Sequence, residues 1–469
     1  MSTPHRPHRC DRACLVPPSP NVIADLRVAY LDLRAGGELS GITFEQYLEL
    51  WRARRRPPTT AGLDDGRPRP DGGPGLALID RPTDALRGEV RTMVLLVDFP
   101  DKEHDPTLTP TSFEKLLFSL GELPTGSMRE YYRLISGFGT EGDFGIDVVG
   151  DVAGWFRLPR PLSEYADGSS GMRGTFPRNA QGMARDAVDA ALAAGVDFSS
   201  AHTRDGMVTA LFVVHAGRGA EESRGAGDIW SHKWVIPDPA PMVTDTVSVG
   251  TYLTVPEDCH MGVCAHEWGH LAAQWADYYD TGSGPLTSNG LGAYCLMASG
   301  SWGNGGLTPT LPTGMLRMFH GWVDPVVVTA SREVTLRPAD AGGHPVFICN
   351  PATMSDDQYV LVEYRRAKGQ DTYLPDSGVA IYVVDESIAD VDDEGRLAVK
   401  LLQADGRDDL AKGFNRGNTG DDGDLFAGGA AVDATTTPAL VLPDGKDPGV
   451  RIAVDGTPGA DEMTITITI

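Results

Sequence analysis

The chain has 469 residues, 41% of them hydrophobic, and sets 40 Lys and Arg against 65 Asp and Glu for a formal net charge of −25. So acidic a surface repels phosphate backbones and anionic lipid, which excludes nucleic acid and membrane surfaces as natural partners. No run reaches the roughly 18–20 apolar residues of a membrane-spanning helix, and the length predicts two or three structural units with sizeable cores.

The N-terminus, MSTPHRPHRCDRACLVPPSP, is polar and Pro-rich and lacks the apolar stretch of a signal peptide. Two helical patterns follow, VIADLRVAYLDLRAG and FEQYLELWRARRR, with apolar residues at helical spacing. PPTTAGLDDGRPRPDGGPG then reads as a linker, too rich in Pro, Gly and Asp to pack. Residues 1–75 are therefore expected to form a separate leader.

From Gly88 the pattern changes. EVRTMVLLVDFPD and MVTALFVVHAG read as buried strands, SMREYYRLISG and PRNAQGMARDAVDAALAAGVDF as helices, and FGIDVVGDVAGWFRLP as strands with turns. Alternation of strands and helices predicts an α+β layered domain over 76–330. After about residue 330 the helical patterns stop. REVTLRP, HPVFICN, QYVLVEYR, GVAIYVVD, LAVKLLQ, GVRIAV and EMTITITI are short, β-branched and turn-bounded, which predicts an all-β, sandwich-like domain over 331–469.

The chemistry lies in MGVCAHEWGHLAAQWADYYD, residues 261–280. On a helix His266 and His270 project from one face a turn apart, so two neutral imidazole nitrogens can reach one Zn2+. Glu267 follows the first His, beside the metal without binding it, where a carboxylate can take a proton from metal-bound water. A continued helix would place residue 277 roughly 16 Å along the axis from His266, beyond reach of a shared metal. The chain must therefore turn back after His270, and Asp277 and Asp280 are the carboxylates available as a third ligand.

This segment resembles the immune inhibitor A family of secreted, metzincin-like zinc endopeptidases, whose pattern is H-E-x-x-H, a short turn, then D-x-Y-D. Other stretches are similar to that family in the same order: LLVDFPD, MREYYRLISG, GWFRLP, VVHAGRGAEES with DIWSHKW, CLMASGSW, HGWVDP, VLVEYRRAKGQDTYLPDSGVAIYVVDE, and LLQADGRDDL with GDDGDLF, together spanning roughly 88–430. The resemblance implies a zincin-like catalytic domain with a twisted sheet and an active-site helix. It makes His266, His270 and Asp277 the zinc ligands, Glu267 the general base and Met297 the methionine beneath the metal. It also implies protein or peptide substrates and an extracellular setting, although no signal peptide is visible. One departure stands out: the family's glycine after the second His is replaced by Ala273, and Asp277 lies one residue farther on. This departure makes Asp280 the alternative ligand and motivates a second reading, a binding or adhesion protein that has lost turnover; the motif alone also leaves open a third, a zinc hydrolase of non-peptide bonds.

Three lesser signals remain. His232, between Trp230 and Trp234, suits either a cleft or an aromatic core, and the core is the commoner place for such a residue. Asp421, Asp422 and Asp424 in NTGDDGDLF offer oxygens for Ca2+ or form a solvated turn. Of the cysteines Cys10, Cys14, Cys259, Cys264, Cys295 and Cys349, none falls at zinc-ribbon spacing. Cys10 and Cys14 lie in the leader, from which a thiolate can block the open position of a catalytic zinc.

Overall fold

Why the leader does not hang apart from the rest is visible in its first strand. In the computed structural model, which describes residues 13–39, 41–55, 85–140, 144–204, 206–237, 239–280, 288–388, 396–412 and 417–469, the chain starts with β1 (Cys14–Leu15). Helices α1 (Pro20–Ala35) and α2 (Phe44–Ala53) follow, the second opened by a capping box between Thr43 and Gln46. Val22, Leu26 and Tyr30 of α1 pack on Phe44 and Leu48 of α2 in a small core of their own. Ala13, Leu15 and Val16, by contrast, are buried in the main core of the molecule. Cys10 and the linker 57–75 lie outside the described residues.

The main sheet is built from β2 (Gly88–Asp98), β3 (Ile146–Arg157), β6 (Leu211–His215), β7 (His232–Val235) and β8 (Thr251–Pro256), with a two-residue hairpin of β4 (Thr203–Arg204) and β5 (Met207–Val208) beside it. Its order is β1-β7-β8-β6-β2-β3. Strands β3, β2, β6 and β8 run parallel, and β2 and β6 are near-continuous apolar runs because both of their faces are covered. Strand β7 runs antiparallel to β8 and would be the sheet's edge, but β1 adds to it antiparallel, Cys14 opposite Lys233 and Leu15 opposite His232.

Helices α3 (Pro110–Phe118), α4 (Met128–Ser136), α5 (Leu162–Ala166), α6 (Ala180–Ala193) and α7 (Ala220–Ser223) connect the strands. Helix α4 begins at a capping box between Ser127 and Glu130 and stops at Gly137, whose φ of 67° is left-handed. It is tied to β3 by Arg129, which donates to both oxygens of Asp147 at 2.6 Å. Helix α8 (Met261–Leu271) carries the H-E-x-x-H residues, and the lower half that follows is short 3-10 turns plus α9 (Gly314–Phe319). Thus a mixed α/β region with a largely parallel sheet precedes a region of mostly antiparallel β-structure.

That second region starts a few residues before the expected position, with β9 (Val326–Val328). It continues through β10 (Arg332–Leu336), β11 (Val346–Ile348), β12 (Gln358–Arg365), β13 (Gly378–Asp385), β14 (Val399–Leu401), β15 (Ala431–Val432), β16 (Arg451–Asp455) and β17 (Met463–Thr468). One sheet has the order β14-β13-β12-β11-β9 and the other β10-β17-β16-β15; among the described residues β9–β11 is the one parallel pairing in these two sheets. Residues of both sheets share one core. The period-2 alternation of β12 splits its faces: Val360, Val362 and Tyr364 join that core, whereas Tyr359 and Leu361 join the core of the preceding α/β region. Being covered on both sides, β12 and β13 are buried along their whole length.

A buried charge network crosses this junction. Arg365 is fully buried, donates to Asp371 (2.6 and 2.9 Å) and reaches the carbonyls of Tyr294 (2.9 Å) and Leu311 (3.3 Å) in the irregular stretch that follows α8. Glu363 joins it to Arg317 of α9 at 3.0 Å. Removing one partner leaves a buried charge uncompensated, so Arg365→Ala is expected to lower unfolding free energy by about 3–5 kcal/mol. Denaturant unfolding checks this, and a loss well under 1 kcal/mol would contradict it.

Candidate active site and metal centre

Helix α8 is held rigidly from three sides. Tyr132 of α4 donates to the Ala265 carbonyl at 2.7 Å, and the Trp268 indole N–H donates to Thr92 of β2 at 3.0 Å. On the third side Gly262 touches the lower half so closely that a Cβ there would lie 2.0 Å from the Ser301 carbonyl. A Cβ on Gly269 would meet the Met297 sulfur at 3.0 Å, which places Met297 directly against the helix between the two histidines in sequence.

The helix ends at Leu271, and the reversal is made one residue later than the family pattern. Gln274, exposed to solvent, takes the left-handed conformation (φ 57°), while Ala273 does not. A non-glycine residue there costs roughly 1–2 kcal/mol. The turn is fixed from behind by His320, whose Nε2–H donates to the Ala273 carbonyl at 3.0 Å while Nδ1 accepts from the Leu86 amide at 3.2 Å. Burial pushes His320 down to about pH 4, so this neutral form persists. His320 sits in the HGWVDP stretch, yet nothing in its local pattern pointed to this role.

Both zinc-motif histidines have their tautomer set. His266 Nδ1 is 2.9 Å from the Leu296 carbonyl and His270 Nδ1 is 2.7 Å from the Trp275 carbonyl. A carbonyl only accepts, so each Nδ1 carries the proton and each Nε2 presents a lone pair. The two Nε2 atoms lie 3.0 Å apart, and Asp277 Oδ1 lies 3.2 Å from that of His266 and 3.0 Å from that of His270. Three acceptors thus converge with no proton between them. All three side chains are buried, and neither Asp277 oxygen receives a hydrogen bond. Such a cluster is strongly unfavourable unless a cation sits in it. Donors about 2.0–2.1 Å from a tetrahedral zinc are about 3.3 Å apart, so the triangle fits that ion. Burial disfavours the charged forms of both groups: it lowers His266, and it also opposes Asp277, where the neighbouring His270 and His266 outweigh it and leave the carboxyl below its ordinary range.

Glu267 is completely buried next to this triangle, and neither of its oxygens has a hydrogen-bond partner. Burial, and then the charges of Asp277 and Glu221, push its carboxyl well above the ordinary range. The backbone amides of Val16 and Lys233 face it and pull the other way, without closing a hydrogen bond.

Asp280 is placed differently. It lies 3.6 Å from the guanidinium of Arg52 on leader helix α2, so the leader and not the histidine pair faces it. His232 has both nitrogens engaged, with the Trp230 carbonyl at 2.6 Å and the Tyr252 hydroxyl at 2.8 Å, and burial lowers it to about pH 3. It is a structural residue of β7. Asp421 and Asp424 come together with Asp405 within 4.8 Å, and Asp422 is not part of that group. Arg407 bridges Asp405 and Asp421, meeting part of their charge. Glu221, missed as a single residue in the GRGAEES stretch, is buried, holds the start of β7 through the Ser231 amide at 3.0 Å, and is raised to about 7 by burial.

Two histidines one helical turn apart, a carboxylate from a following turn and a buried glutamate define a metallopeptidase-type site. The chain matches the catalytic domain of the immune inhibitor A peptidases, M6, over residues 84–324, and it belongs to that family. Immune inhibitor A of Bacillus thuringiensis subsp. alesti is 29% identical over 280 residues, which cover 48% of this chain and 39% of that protein. The pre-pro-metalloprotease PrtV of Vibrio cholerae serotype O1 (strain M66-2) is 30% identical over 288 residues, covering 50% of this chain and 30% of the relative. The chain therefore matches well under half the length of either.

If the triangle is the metal site, Asp277→Asn should cut metal occupancy by about tenfold or more, as loss of one charged ligand does, while Asp280→Asn should leave occupancy near that of the parent. Equilibrium dialysis with Zn2+ and elemental analysis checks the pair, and reversed occupancies would move the ligand to Asp280.

Proposed function

We propose that the chain is a zinc-dependent endopeptidase in which His266, His270 and Asp277 hold the metal and Glu267 is the general base. The observation that carries this reading is the convergence of two Nε2 lone pairs and an unpartnered carboxylate beside a buried, unpartnered glutamate. Zn2+ bound there supplies a Lewis acid that polarises the scissile carbonyl and acidifies water to a pKa of about 7. Glu267 takes the proton of the attacking water and passes it to the leaving amine. Strand β7, whose Lys233 amide faces Glu267, receives the peptide as an added strand once its edge is free of β1, its backbone N–H and C=O groups fixing the substrate's direction. Met297 supports the helix from below.

The same reading makes the mixed α/β region a zincin-like catalytic domain, residues 76–330, with residues 1–75 as a pro-segment and 331–469 as a β-sandwich. Its substrates are proteins or peptides, and the pre-pro form named for the Vibrio relative supports an extracellular setting. Among the described residues no helix is long and apolar enough to cross a membrane. Ca2+ is an accessory ion in this reading, held by Asp405, Asp421 and Asp424 after displacing Arg407; a calcium-dependent rise in melting temperature that is lost in Asp424→Asn checks it. The displaced turn at Gln274 accommodates the extra residue before Asp277, so the Ala273 departure gives no separate support to an inactive protein.

Because Glu267 is assigned to proton transfer and not to coordination, its loss should separate two properties. In protein cut within residues 57–75 and freed of the leader, Glu267→Gln is expected to lower casein hydrolysis by about 10²–10⁴-fold with zinc content unchanged. Near-normal turnover would overturn the mechanism, and loss of zinc together with activity would make Glu267 a ligand instead.

A further inference from the structure

The leader crosses the site that the proposed reading assigns to substrate. Strand β1 pairs with the edge strand β7, and its continuation follows the same edge: the Val16 amide donates to the Ser231 carbonyl at 3.3 Å. Side chains of the catalytic unit grip its backbone at each step. The Tyr279 hydroxyl donates to the Leu15 carbonyl, the Trp230 indole to the Val16 carbonyl at 2.8 Å, and the Trp302 indole to the Pro17 carbonyl at 2.9 Å. Beyond it the Ser19 amide donates to the Glu221 carbonyl at 3.0 Å, and Arg52 of α2 reaches Asp280. The Val16 amide faces Glu267.

Along this path Cys14 arrives beside two members of the metal triangle, His270 and Asp277. Its sulfur, a ring nitrogen of His270 and a carboxylate oxygen of Asp277 all lie within 4.8 Å of one another, and all three residues are buried. A sulfur near one ligand would mean little alone. Here it faces the same Asp277 carboxylate that is wholly buried and receives no hydrogen bond, which independently marks the place of a cation. Three protein donors leave one position of a catalytic zinc open, and a cysteine thiolate is a stronger ligand for it than water.

We infer that Cys14 is the fourth ligand of the metal centre, and that β1 keeps the enzyme latent by lying in the substrate's place while that thiolate excludes the attacking water. The inference rests on the proposed metal site. On coordination the thiol gives its proton to solvent and the sulfur lone pair forms the bond to zinc; release reverses both. No bond in the chain needs to break for the block to form. Removal of the leader frees the β7 edge and the fourth coordination position together.

Cobalt reports this directly, because a thiolate bound to Co2+ gives a near-ultraviolet charge-transfer band that nitrogen and oxygen ligands do not. The full chain loaded with one Co2+ should show the band, as should Cys10→Ser. Cys14→Ser and Cys14→Ala should each bind one Co2+ and lack it. Cutting the parent protein within residues 57–75 and removing the leader should abolish the band and raise casein turnover by about tenfold or more. A parent protein that binds one Co2+ without the band, or a band that survives in both Cys14 variants, overturns the assignment of Cys14 and leaves the metal triangle standing. Failure of the parent and of both variants to bind Co2+ at all overturns the metal triangle and the latency with it.

Discussion

Two hydrogen bonds to backbone carbonyls organise everything that the site can do. By occupying Nδ1 of His266 and His270, the carbonyls of Leu296 and Trp275 force the lone pairs onto Nε2 and aim them at each other. Each carbonyl comes from a segment whose position is otherwise fixed. Leu296 precedes Met297, whose own carbonyl accepts from the Tyr278 amide at 2.8 Å, and Trp275 follows the left-handed Gln274. The lower half of the catalytic unit is therefore the frame that sets the tautomers. This is why an irregular, 3-10-rich stretch must be as well anchored as a helix. Arg365 supplies part of that anchorage by reaching the carbonyl of Tyr294 from the neighbouring β-sheet.

The parts of this arrangement that were legible in the sequence are those with local periodicity or local spacing. The apolar runs of β2 and β6, the glycine stop of α4 and the four-residue spacing of His266 and His270 are all properties of neighbouring residues. The change to β-rich structure was visible too, though β9 begins slightly earlier than the β-branched pattern suggested because its middle residue is exposed and its strand is only three residues long. Elimination reached only as far as the pair Asp277 and Asp280, since a straight helix cannot return a carboxylate to its own histidines; the resemblance to the immune inhibitor A family is what favoured Asp277.

What stayed hidden depends on distant pairings. Nothing around Arg52 announces Asp280, and nothing around Leu15 announces Tyr279, 264 residues away. The N-terminus, polar and Pro-rich, was expected to belong to a separate leader, yet Ala13, Cys14, Leu15 and Val16 are a short buried run that adds to an existing sheet edge. An added strand draws its affinity from the backbone, so side-chain pattern reveals little of it. The same holds for the turn. A glycine was expected at Ala273, and the reversal moved to Gln274, which is exposed to solvent and takes the left-handed conformation. His320 and Glu221 act by filling buried hydrogen-bonding needs of the turn and of β7, a demand set by tertiary packing.

The central claim is that two imidazole Nε2 atoms and the Asp277 carboxylate make one zinc site. Zinc-edge X-ray absorption on the full chain, reconstituted with one Zn2+, tests it most directly. The account predicts a four-coordinate spectrum with the outer-shell signature of two imidazoles, an oxygen or nitrogen shell near about 2.0–2.1 Å and one sulfur near about 2.3 Å. A spectrum of six oxygen ligands without imidazole scattering would contradict it.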